Sequence, residues 1–221
     1  MVNHRKVTVV DFGMGNLFSI EKAIHHVGGD ANITDDLTKI ASADRLVLPG
    51  VGAFGSAMQR LTETGIEDAV KEYAQTSRPL LGICLGMQLL LTESYEFGHH
   101  RGLGLIEGKV IRFKDPQPNG HYFKIPQIGW AEIELPTSKK KLAKRIWDDT
   151  ILVGFHPGSF FYFVHSYICV PENSKNVLAE TVYGEDRFCS VVFKDNIWGC
   201  QFHPEKSDTD GLNIYKNLLS I

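Results

Sequence analysis

Cysteine is scarce in this sequence. There are four, at positions 84, 169, 189 and 200, with no C-x-x-C pair and no dense spacing. That excludes a disulfide framework and a cysteine zinc site, and it suits reduced thiols in a cytoplasmic protein. Basic charge is not in excess: 23 Lys and Arg stand against 26 Asp and Glu, for a net charge of −3. Such a balance leaves no electrostatic footprint for nucleic acid. The run Lys139-Lys140-Lys141 is short and precedes a helical pattern, so it reads as a solvated helix start. No apolar run approaches the roughly 18 residues of a membrane span. Residues 1–6 pass directly into a strand pattern without an apolar leader segment, so neither a membrane nor a signal peptide is expected. Repeats and low-complexity stretches are missing. The pairs His25-His26 and His99-His100 have no further ligands at metal-binding spacing, so no metal and no cofactor is expected. What remains, at 43% apolar and 22% charged, is ordinary globular composition. A chain of 221 residues can form one sheet-based domain, here 1–221.

The first half alternates strands and helices. Residues 6–12 are a β-branched strand, Gly13-Met14-Gly15-Asn16 a tight turn, and residues 17–27 an amphipathic helix with Asn16 as N-cap and Gly28 as its stop. Strand, glycine turn and helix invite a dinucleotide fingerprint, but Phe18 stands where the third glycine belongs. Strands follow at 30–34 and 45–48, helices at 54–64 and 66–76, a buried strand at 80–83, and a helix at 85–93. This order predicts an α/β fold with a doubly wound, mostly parallel sheet. Beyond Glu93 the pattern changes to strands separated by short turns, at 109–113, 122–128, 160–170, 177–182, 188–194 and 197–202. They read as an appended antiparallel ribbon, with a helical turn or two at 139–147 and a closing helix at 210–219.

The chemistry concentrates at Gly82-Ile83-Cys84-Leu85-Gly86, where strand meets helix. This G-x-C-x-G is the thiol counterpart of a nucleophile elbow: a sharp turn presents the sulfur, and small neighbours let a substrate approach. The positive end of the following helix would favour thiolate, and Gln88, one turn on, shares the face of Cys84. Pro49-Gly50-Val51-Gly52 ends a parallel strand at the same sheet edge, where sites form in such folds. An N–H from the Val51-Gly52 loop and that of Leu85 could together make an oxyanion hole. A buried structural cysteine would need none of this, so a base is required, and Gln201-Phe202-His203-Pro204-Glu205-Lys206 supplies one. Pro204 rigidifies the loop, which lets Glu205 orient His203 as the acid–base partner of Cys84.

Taken with Gly82 to Leu90 and His203-Pro204-Glu205, six further segments match in order and spacing: 12–16, 48–54, 102–104, 124–126, 129–130 and 162–167. Nearly end to end, the chain resembles the class I, triad-type glutamine amidotransferases, and among them the glutaminase subunits of imidazole glycerol phosphate synthases. The resemblance implies that Cys84, His203 and Glu205 hydrolyse L-glutamine, with Gly50, Gln88, Glu96, Ser166 and Tyr167 binding it. It also implies a heterodimer in which ammonia passes to a (β/α)8 barrel cyclase that switches the glutaminase on, with Asn16, Trp130, Tyr162 and Lys206 near the interface. A paralogous group supplying ammonia to surface-polysaccharide sugars would share this pattern. A related cysteine hydrolase would share the elbow but not the Asn16 loop or the 162–167 segment, and a binding module would need no complete triad. Three positions depart from the family pattern: Phe12 for tyrosine, Gln127 for histidine and Ala131 for asparagine. The latter two are expected where the partner docks.

Overall fold

A computed structural model describes residues 5–114, 123–142 and 146–221. The beginning of the strand expected at 122–128 and the middle of the helix expected at 139–147 lie outside the described residues. So do residues 1–4. The first half forms as its patterns predict: β1 (Lys6–Val10), α1 (Leu17–His26), β2 (Asp30–Thr34), β3 (Leu46–Leu48), α3 (Phe54–Glu63), α4 (Ile66–Ala74) and β4 (Leu80–Ile83). Between β2 and β3 there is also a short α2 (Leu37–Ala41). Its signal was Asp36, whose side chain accepts from the N–H groups of Thr38 and Lys39.

After β4 come α5 (Leu85–Leu89), β5 (Leu91–Ser94), β6 (His100–Arg101), β7 (Ile106–Arg112), β8 (Gln127–Ile133), β9 (Ser159–His165) and β10 (Tyr167–Pro171). The chain closes with β11 (Val177–Tyr183), β12 (Asp186–Lys194), β13 (Ile197–Cys200) and α6 (Asp208–Leu218). Two expectations change. The helix expected over 85–93 stops at Leu89, because Leu91 pairs with Ile106 and draws the chain into the sheet. The strand expected over 160–170 breaks at Ser166: β9 belongs to a separate ribbon with β8, and β10 to the main sheet. Both stretches are continuous apolar runs up to the break or across it, so periodicity alone could not locate it.

The main sheet runs β2-β1-β3-β4-β13-β12-β10-β7-β5-β6, with β11 on β12. The strands from β2 to β13 are parallel, and the antiparallel strands continue that same sheet. Apolar residues of the parallel strands pack on both faces. Val7, Val9, Leu81 and Ile83 meet Ile24, Ile214 and Leu218 of α1 and α6, while Val10, Leu48 and Leu80 meet Leu61, Val70 and Tyr73 of α3 and α4. Each side chain buried this completely contributes about 1.5–3 kcal/mol.

One pairing positions the site. β13, near the end of the chain, lies parallel beside β4 with Cys200 opposite Ile83. The two strands therefore finish at the same edge, and the residues that follow them, Cys84 on one and Gln201 to His203 on the other, are neighbours.

Candidate active site

Cys84 has φ 53° and ψ −106°, a conformation that costs a non-glycine residue on the order of 1–3 kcal/mol. It is held by its own N–H donating to the Cys200 carbonyl at 2.8 Å and by its carbonyl accepting from the Gln88 N–H at 3.2 Å. The flanking glycines explain how so tight a corner closes. A Cβ on Gly82 would lie 2.8 Å from the Gly86 carbonyl, and one on Gly86 would occupy the place of the Leu48 carbonyl oxygen. Because α5 has only five residues, its dipole is weaker than the expected longer helix would provide. Stabilisation of a thiolate must come mainly from side chains. Cys169, Cys189 and Cys200 are buried in the sheet, and burial pushes each of those thiols up, so none competes as nucleophile.

His203 and Glu205 are joined by an Nδ1–Oε1 hydrogen bond of 2.8 Å, both side chains buried. The backbone of His203 is clamped to β9: its N–H donates to the Tyr162 carbonyl at 2.9 Å. Ser207 Oγ accepts from the Tyr162 N–H at 2.9 Å and donates to the His203 carbonyl at 2.6 Å. Burial by itself would lower the imidazole pKa, but the Cys84 thiolate and the Glu205 carboxylate outweigh it and raise the value to about 10. The sulfur has two further neighbours: the thiol can donate to the Val164 carbonyl at 3.8 Å, and the Gln201 amide donates to the sulfur at 3.7 Å. Catalytic hydrogen bonds are often long before substrate arrives.

These residues open into a cavity of about 360 Å³, lined by Val51, Gly52, Cys84, Leu85, Gln88, Glu96, Ser166, Tyr167, His203 and Lys206 among the residues named from sequence. Gly50 lies behind the wall, packed on Leu85. Trp130 and Tyr162 sit on the β8–β9 ribbon as cross-strand partners with ring centroids 6.0 Å apart. Asn16 precedes α1 without a side-chain capping bond, contrary to expectation. As the first residue of α5, Leu85 has an N–H with no intrahelical acceptor. The Val51 N–H instead reaches the Met14 carbonyl at 3.4 Å. Glu96 is tied down by Oε2, which accepts from the Phe54 N–H at 2.5 Å.

Four residues of the cavity region had no role in the sequence reading. Phe97 stands 85% exposed at the rim, edge-on to Tyr167. Val164 accepts from the thiol. His165 is buried, and burial lowers its pKa to about 4 despite its Nδ1–H bond to the Tyr167 carbonyl at 2.9 Å. Gln201 touches the sulfur. Only Gln201 carried a signal, as a polar residue inside an apolar strand run. Gln127 corrects an expectation as well. Its side chain is buried, opposite His165 in the β8–β9 ribbon, where an exposed position was expected. The histidine pairs have ordinary partners: His99 bonds Glu93 at 2.8 Å, and His25 accepts from the Ala31 N–H at 3.3 Å.

A thiol, an imidazole whose proton is favoured by that sulfur and by a buried carboxylate, and a cavity with one carboxylate on its wall suit nucleophilic attack on an amide of a small zwitterion. Residues 8–220 match the family model described as "Glutamine amidotransferase class-I". The chain is 46% identical over 213 residues to "Imidazole glycerol phosphate synthase subunit HisH" of Syntrophotalea carbinolica, covering 96% of this chain and 98% of that protein. The protein of the same description from Wolinella succinogenes is 46% identical over 215 residues, covering 97% of this chain and 99% of that protein. Among solved structures, "Structure of PurLQS from Thermotoga maritima" shares the fold with a TM-score of 0.68 at 19% identity, covering 97% of both chains. No helix among the described residues is long and apolar enough to cross a membrane.

Proposed function

This chain belongs to the class I glutamine amidotransferase family, and we propose that it is the glutaminase subunit of an imidazole glycerol phosphate synthase in histidine biosynthesis. It is a single cytoplasmic domain that hydrolyses L-glutamine and delivers the ammonia to a (β/α)8 barrel cyclase. The Cys84 thiolate attacks the side-chain amide carbonyl, and the imidazolium of His203 gives its proton to the departing ammonia, leaving a thioester. Water then attacks, losing a proton to His203, and glutamate leaves as the thiolate is restored. Glu205 holds the histidine tautomer and stabilises the imidazolium. Glu96 faces the α-ammonium of glutamine, and Ser166 and Tyr167 its carboxylate. The observation that carries this reading is the β4–β13 register, which sets the sulfur and His203, bonded to Glu205 behind it, at one cavity.

In the oxyanion hole of this mechanism Leu85 offers one N–H, whereas that of Val51 is turned to the Met14 carbonyl at 3.4 Å. An isolated subunit of this form is a poor glutaminase, which suits activation by a partner. The ribbon supports a docking surface, since Ile128, Trp130 and Phe160 are 62%, 52% and 47% exposed on one face. The test is Cys84→Ala in the complex: glutamine-dependent turnover is lost while turnover fed by ammonium salts persists. Surviving glutamine hydrolysis would overturn the nucleophile, and failure to co-purify with a barrel cyclase would overturn the partner.

A further inference from the structure

Gln201 follows β13, is wholly buried, and takes no part in the proton transfers above. Its amide nitrogen is 3.7 Å from Cys84 Sγ. Which end of that amide faces the sulfur is settled by a chain of bonds ending on a group with one role. The Tyr167 backbone carbonyl can only accept, so the Gln88 atom 3.1 Å from it is nitrogen. That same nitrogen lies 3.1 Å from Gln201, which must present its oxygen there. The Gln201 nitrogen is thereby turned to the sulfur. We propose that Gln201 is the hydrogen-bond donor that holds the Cys84 thiolate, and that Gln88 is the positioning residue that keeps the donor aimed.

The need for such a donor is local. As a thiol, Cys84 donates to the Val164 carbonyl at 3.8 Å. Once the proton leaves, that oxygen has no hydrogen to accept and the sulfur needs a donor in its place. The Gln201 N–H supplies it, both before attack and when the thioester breaks and expels the thiolate again. Because Gln88 also lines the cavity, the relay connects the glutamine-binding wall to the nucleophile.

The inference rests on Cys84 being the nucleophile, but its test needs no glutamine. The rate of alkylation of Cys84 by iodoacetamide is followed by mass spectrometry of its peptide across neutral and alkaline pH. In Gln201→Leu and in the better size match Gln201→Met, the profile moves about one pH unit to the alkaline side, a roughly tenfold slower reaction at neutral pH. Gln88→Leu frees Gln201 to turn and moves the profile the same way. Profiles of both Gln201 variants that superimpose on wild type overturn the donor role, and an unmoved Gln88→Leu profile overturns the relay. Neither result bears on Cys84→Ala, whose loss of glutamine turnover tests the nucleophile separately.

Discussion

Replacing Glu96 with glutamine separates the cap it makes on α3 from the glutamine binding proposed for it. Helix α3 begins at Phe54 after Ala53, which has no capping side chain. The Phe54 N–H is met instead by Glu96 Oε2 at 2.5 Å, from 42 residues further along the chain. Glutamine keeps an oxygen at that place and loses only the charge, so stability should fall by about 1 kcal/mol, the charge–dipole contribution at a partly buried helix start. Glu96→Ala also leaves a buried N–H unpaired and should cost about 1–3 kcal/mol. Binding should respond differently. The α-ammonium of glutamine loses a charge-assisted bond worth about 1.5–3 kcal/mol, which lowers kcat/KM roughly 10- to 150-fold in either variant. Urea unfolding of the chain reads the first effect, and glutamine hydrolysis by the complex reads the second. Unchanged KM with a stability loss beyond about 3 kcal/mol would make Glu96 a cap and nothing more. An unmoved urea midpoint in Glu96→Ala would refute the capping argument.

Gly86→Ala drives a Cβ into the Leu48 carbonyl of a central strand, which cannot step aside. The cost should reach or exceed about 3 kcal/mol, the upper range for overpacking, with glutaminase activity lost alongside; a wild-type melting temperature would contradict it. Glu205→Gln tests the charge on His203. Burial lowers that imidazole, and the Cys84 thiolate and Glu205 raise it to about 10, so removing the carboxylate lets His203 lose its proton at lower pH. The alkaline limb of the kcat/KM profile should therefore move toward neutrality. Stability has the same sign: the contribution of His203 is complete below its unfolded pKa of about 6.5 and disappears as pH rises through about 10. In the variant it should disappear sooner, and superimposable profiles would refute the role given to Glu205.

The glycines at 82 and 86, the β-branched and apolar strand runs and the helical periodicities are local properties. From them the sequence alone determined the parallel half of the fold, the elbow at Cys84 and the rigid His203-Pro204-Glu205 loop. Steric exclusion and side-chain spacing act over a few residues, so a linear reading reaches them. Contacts between distant segments decided the rest. The pairing of Leu91 with Ile106 cut α5 short, the transfer of the chain from β9 to β10 bent it at Ser166, and the insertion of β13 beside β4 brought Gln201 to the sulfur. A continuous apolar stretch can serve a helix or a strand equally well, and a buried amide acquires its meaning only from what lies against it. Those choices belong to the packed structure because only there do the partners exist.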